Sequence, residues 1–246
     1  MLFTLLLGCS DLLLLSDTVD DLTQPLVVQA FYVGMEPLPE ALAAAEGDWS
    51  AGSKARVLLS EAAGISADDA PPITDAEVLM EYPDGELVLT NEGAGEWTAD
   101  GDDGLAWHSD VEASLTIRRD EDSRITLTTP PAPELDIPST LAAGEALELD
   151  LDGQPFDNLL VKVVRLADGV TVYDSTPEDS TDLYRLTHSA SSLTATIAAT
   201  VFEEPGEYAV GVAGLVNAHP DDYEGVNLAL SALTAGTMVF TPVRVP

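Results

Sequence analysis

Apolar residues return at every second position through most of this 246-residue chain, and that period fits strands rather than helices. Leu147, Leu149 and Leu151 share one side of an extended segment, while Glu148 and Asp150 take the other. Leu193, Ala195 and Ile197 alternate with Thr194 and Thr196 in the same way. Segments 112–118 and 123–128 repeat the pattern on either side of the acidic turn Asp120-Glu121-Asp122. Strands of this kind bury one face each, so they must stack as sheets. The expected class is all-β, and the one short helix expected is the Ala-rich stretch 40–46.

Turn signals divide the alternation. Pro83-Asp84-Gly85 separates 76–82 from 86–90, and Ala167-Asp168-Gly169 separates 159–166 from 170–173. In each, Gly supplies the left-handed position that a tight hairpin needs. Thr129-Pro130-Pro131-Ala132-Pro133 is the strongest break, because a Pro-rich segment is stiff and cannot continue a central strand. The chain is long enough for two domains, and 46% hydrophobic residues suffice for their cores. The expected organisation is an N-terminal β-sandwich over 25–134 and a C-terminal one over 135–246, with a protease-sensitive joint at 130–133.

Two resemblances refine this. Ala76-Glu77-Val78, the Asp84-Gly85 hairpin and Gly95-Glu96-Trp97 are similar to the transthyretin-like or carboxypeptidase-regulatory-like sandwich of bacterial surface lipoproteins, over residues 73–130. That resemblance implies a non-catalytic module. The stretch 193–212, with Phe202, Pro205-Gly206 and Tyr208-Ala209-Val210, resembles the E strand, corner and F strand of an immunoglobulin-like sandwich. Val210 stands where the inter-sheet disulfide would place a cysteine, so that bridge is absent. The fold expected is two tandem antiparallel β-sandwich domains, transthyretin-like then Ig-like.

Ahead of them, Leu2, Phe3, Leu5, Leu6 and Leu7 form a short apolar run that ends in Leu6-Leu7-Gly8-Cys9. This resembles a bacterial lipobox, and Cys9 is the only cysteine in the chain. No Lys or Arg precedes the run, which leaves room for a start upstream of Met1. The resemblance implies a signal peptide over 1–8, lipid on the Cys9 sulfur, and a tether over 9–24 that is acidic towards its end. Ser10 after the cysteine implies, by the same likeness, an outer-membrane lipoprotein of the cell envelope. With one cysteine, stability rests on cores rather than on intramolecular disulfides.

Charge narrows the partners. Nine basic residues face 44 acidic ones, a net of −35. Nucleic-acid binding requires Lys and Arg to neutralise phosphates, so it is excluded. The acidity is read first as solubility or a saline habitat, with specific cation capture as the alternative. A calcium site is the one ion expectation, because hard cations take clustered carboxylates. Its candidates are Asp100, Asp102, Asp103 and Asp110, with Asp221-Asp222-Tyr223-Glu224-Gly225 as a second cluster. Among Trp49, Trp97 and Trp107, only Trp107, beside His108 and the acidic loop, is a candidate for ligand stacking. His108, His188 and His219 are too dispersed for a zinc motif, and Gly64-Ile65-Ser66-Ala67-Asp68 lacks the second Gly of a nucleophile elbow. The functional expectation is a non-catalytic, lipid-anchored envelope lipoprotein that presents binding or structural modules to an envelope protein or glycan. A calcium-assisted adhesin or carbohydrate-binding surface protein is the alternative.

Overall fold

The structure is a computed structural model that describes residues 24–35, 53–62, 71–83, 85–175 and 193–246. Cys9, Trp49, His188, Asp84 and the segments 40–46 and 64–68 lie outside the described residues. Among the described residues the regular structure is strand, save for short 3-10 turns at Ala199–Phe202 and Pro220–Asp222. The all-β expectation holds: the strands build two sandwiches.

The first sandwich joins β1 (Leu26–Met35), β2 (Lys54–Glu61), β5 (Thr90–Gly93) and β6 (Glu96–Asp100) on one side. Facing them are β3 (Glu77–Tyr82), β4 (Gly85–Val88), β7 (Glu112–Arg118), β8 (Ser123–Thr128) and the short β14 (Tyr223–Glu224). Alternation puts Val28, Tyr32, Val57, Leu59 and Trp97 of one sheet against Val78, Met80, Leu115, Ile117 and Ile125 of the other. Each fully buried side chain of this size contributes about 1.5–3 kcal/mol, before the opposing loss of conformational entropy. The β3–β4 hairpin forms with Tyr82 opposite Gly85. Its return segment does not stay in one sheet: buried Leu89 turns the corner, so β4 pairs with β3 while β5 pairs with β6.

The second sandwich sets β9 (Leu147–Asp150) and β12 (Thr194–Ile197) against β10 (Asn158–Arg165), β11 (Val170–Asp174), β13 (Gly206–Asn217) and β15 (Ala232–Val245). Leu147, Leu149, Leu151 and Ile197 meet Val161, Val163, Val210, Val212 and Val243 between the layers. The Ala167-Asp168-Gly169 hairpin forms, with Gly169 at φ 70° and Arg165 opposite Val170. Tyr208 donates its hydroxyl to the Glu204 carbonyl at 2.7 Å, the tyrosine corner of an Ig-like sandwich. Thr140 adds a parallel bridge to Arg244 along the last strand.

Core membership does not follow the sequence division at 134/135. Strands β13 and β15 pair through the register Gly206–Val245 to Asn217–Thr234 and run through both sandwiches. The result is one eight-stranded sheet ordered β11-β10-β13-β15-β1-β2-β6-β5. Ala218, Val226, Leu233 and Ala235, all beyond 135, belong to the first core, and Val216 packs against both. The physical reason is length. Fourteen residues at about 3.3 Å each make β15 roughly 46 Å long, more than one sandwich needs. Pro130 and Pro133 are buried rather than displayed as a joint, and Thr237 donates its hydroxyl to the Pro130 carbonyl at 3.2 Å.

The whole chain should therefore unfold in a single urea transition, with near- and far-ultraviolet circular dichroism coinciding. A fragment of residues 135–246 alone should aggregate or stay unfolded, because it lacks β1 and the facing sheet. Two separated transitions, or a folded 135–246 fragment, would count against the shared sheet.

Candidate functional site

The loop 101–111 leaves β6 and returns to β7, and it is strapped down at every step. Leu105 is buried in the first core, and Ser53 Oγ donates to its carbonyl at 3.2 Å. The Tyr32 hydroxyl donates to the Ala106 carbonyl. Burial pushes the Tyr32 phenol well above its ordinary value, with the nearby Tyr82 phenol adding to the shift. The Trp107 ring stands 4.7 Å from the Tyr32 ring, centre to centre, at 52°. It lies directly on Gly34, where a Cβ would fall 2.1 Å from the indole. His108 tilts against Tyr82 at 5.4 Å, and its carbonyl accepts from Thr129 Oγ1 at 2.5 Å.

Trp107 is therefore half-buried, as the stopper at one end of the first core. Its indole Nε1 is buried without a hydrogen bond, a cost of about 1–3 kcal/mol that the packing must offset. The ring is engaged by Gly34 and Tyr32 rather than offered as an open platform. Trp97 is core, 1% exposed. The residues that seat the stopper, Tyr32, Gly34 and Ser53, were not expected from sequence. The available signal was a glycine inside the strand pattern Val33-Gly34-Met35, which marks a close approach.

Two carboxylates of the acidic loop, those of Asp100 and Asp103, turn onto its own backbone. Asp100 Oδ1 accepts from the Asp102 amide at 2.8 Å, and Asp103 Oδ2 accepts from the Asp100 amide at 3.0 Å. The Asp103 and Leu105 amides both return to the Asp100 carbonyl, at 3.1 and 3.0 Å. These are side-chain-closed turns, the ordinary use of Asp in loops. Asp110 lies farther along the strap at φ 56°, its amide donating to the Thr129 carbonyl at 3.0 Å. Among the described residues, no three or more His, Cys, Asp or Glu side chains converge in a metal-holding group.

The second acidic cluster also has contacts within the fold. Asp222 Oδ2 accepts from the His219 amide at 3.2 Å, and Asp221 stands 3.4 Å from His219 Nδ1. The Tyr223 hydroxyl accepts from the Leu233 amide at 3.2 Å, and burial pushes its pKa up to about 12. On the outer face of β3, Glu81 accepts from Thr116 Oγ1 at 2.6 Å and Ser114 Oγ at 3.2 Å, with Arg124 at 3.7 Å. The Thr116 hydrogen bond, then that of Ser114 and the Arg124 charge, hold this carboxyl below its ordinary value. A shallow cleft lies between Arg118 and Arg119, but its charges are already matched by Glu77 at 3.1 Å and Asp75 at 3.3 Å. These groups orient strands and loops.

No protein-family model and no curated protein sequence matches the chain. Among solved structures, it is similar to a segment of two fibronectin type III domains from chicken tenascin. That match has 9% identity and a TM-score of 0.28, covering 78% of this chain and 91% of that one. It is also similar to the N-terminal Ig1-2 module of the Drosophila receptor protein tyrosine phosphatase DLAR, at 11% identity and TM-score 0.26, covering 88% and 98%. Likenesses this weak bear on neither fold nor function, and the fold rests on the strand pairing above.

Two measurements check this site. Gly34→Ala should cost about 1–3 kcal/mol by overpacking against Trp107, and the cost should shrink in a Trp107→Leu background. At matched ionic strength, calcium and sodium should raise the melting temperature equally, because the Asp100 turn is closed by backbone amides. A calcium-specific rise that Asp102→Asn with Asp103→Asn abolishes would restore the ion site.

Proposed function

We propose that this chain is a lipid-anchored, non-catalytic cell-envelope protein that holds a rigid pair of β-sandwiches off a membrane as a binding or structural module. The observation that carries the reading is Leu6-Leu7-Gly8-Cys9, with the chain's only cysteine at the lipidated position. Residues 9–24 are the tether, and strand pairing begins two residues later, at Leu26. Several acyl chains on Cys9 anchor stably where one would not. Ser10 directs the protein to the outer membrane, and the first sandwich serves as a transthyretin-like module of the kind found in surface lipoproteins.

Surface charge supports a partner that is neither nucleic acid nor an anionic bilayer face. Each described arginine already sits 2.7–3.7 Å from a carboxylate. An anionic partner thus meets a carboxylate excess in which the described arginines are already matched. The partner of this reading is an envelope protein or a glycan.

Cys9→Ala in the source cell should leave the protein unlipidated and outside the membrane fraction, with the fold unchanged by circular dichroism. Equal detergent partitioning of wild type and variant would remove the anchor from the proposal.

A further inference from the structure

The first and last strands of the described chain lie side by side and point the same way. β1 pairs parallel with β15 from Gln29–Ala232 to Met35–Met238. The chain enters β1 at Leu26 and leaves β15 at Val245, well past the last shared pair. Tension between these two exits drives β1 backward along its axis and β15 forward along its own. The strands then slide in shear, and the slanted bonds of a parallel ladder must yield together. An antiparallel hairpin pulled from its open end yields one bond at a time.

We infer that the β1–β15 pairing is a mechanical clamp that carries tension between the tethered side of the molecule and its C-terminal end. Its use in the cell rests on the anchor proposed above; the clamp itself does not.

Three further features fit that role. β1 is held along its other edge by β2, from Leu26–Glu61 to Val33–Lys54, so it has no free side from which to peel. Its entry is fastened by the turn that leads into β15. The Val28 amide donates to Ser231 Oγ at 3.0 Å, Asn227 Nδ2 donates to the Gln24 carbonyl at 3.0 Å, and the Asn227 amide donates to the Leu26 carbonyl at 2.7 Å. Beyond Met238, β15 runs on into the second sandwich, paired with β13 throughout. The tension therefore crosses both sandwiches along one strand and bypasses the Pro130–Pro133 crossing.

Forced unfolding reports the unfolding barrier rather than equilibrium stability, so pulling geometry separates the clamp from mere stability. The test is single-molecule force spectroscopy on the full chain in a Cys9→Ser background, with cysteine handles at two pairs of sites. Gln24→Cys with Pro246→Cys pulls the clamp in shear, and Gln24→Cys with Ala62→Cys unzips β1 from β2. Urea midpoints establish that both versions are equally folded. At the same pulling speed, the first pair should rupture at a severalfold higher force. Adding Ser231→Ala and Asn227→Ala should lower that force. Equal forces in the two geometries, or a shear force unmoved by loss of the fastening side chains, would overturn the clamp while leaving the Cys9→Ala membrane test untouched.

Discussion

The pairing of Ala232–Val245 with its two neighbours is the constraint on which the rest of the molecule depends. Both edges of this strand are occupied, by β13 on one side and β1 on the other. One face serves two cores, with Leu233 and Ala235 in the first and Val243 and Val245 in the second. Close approach makes this possible: a Cβ on Gly236 would fall 2.3 Å from the Leu215 side chain across the ladder. The opposite face carries its own small cluster, Ala209 and Phe240, with Leu166 and Met238 beside them. Without this strand the first sandwich loses a partner for β1, and the second loses an edge of its main sheet.

Much of the local architecture was legible because local physics decides it. The Asp168-Gly169 turn, the alternation in 147–151 and the Phe202 to Tyr208 corner each carry their determinants within a few residues. The sharing of β15 carries no such mark. A 14-residue strand reads as two shorter ones when Thr234, Gly236 and Thr237 interrupt its apolar run, and parallel pairing has no turn to announce it. The break at Pro130 to Pro133 was legible as a stiff segment, but stiffness does not reveal that Thr237 pins it to the sheet. The acidic loop is a different case. Composition counts carboxylates, whereas the fold decides whether they face an ion or their own amides, and Asp100 and Asp103 face amides.

The same distinction bears on what the surface can offer. Ion pairs such as Arg56–Glu96 and Arg118–Glu77 are exposed, so they add little stability. What they do is neutralise the few cations on a chain with a net of −35. The protein thus carries a large carboxylate excess over two sandwiches that share one sheet, a combination suited to standing apart from neighbours.

The clasp between Ser231 and Val28 spans 203 residues of sequence, and that distance orders events in time. A ribosome delivers β1 about 200 residues before β15. Until then the first sandwich lacks the neighbour that fills one side of β1, and its core stays open towards Leu233 and Ala235. Contacts this remote in sequence make folding slow, because loop closure must come before any stabilising contact. A nascent chain built this way cannot close its first sandwich until β15 has been made.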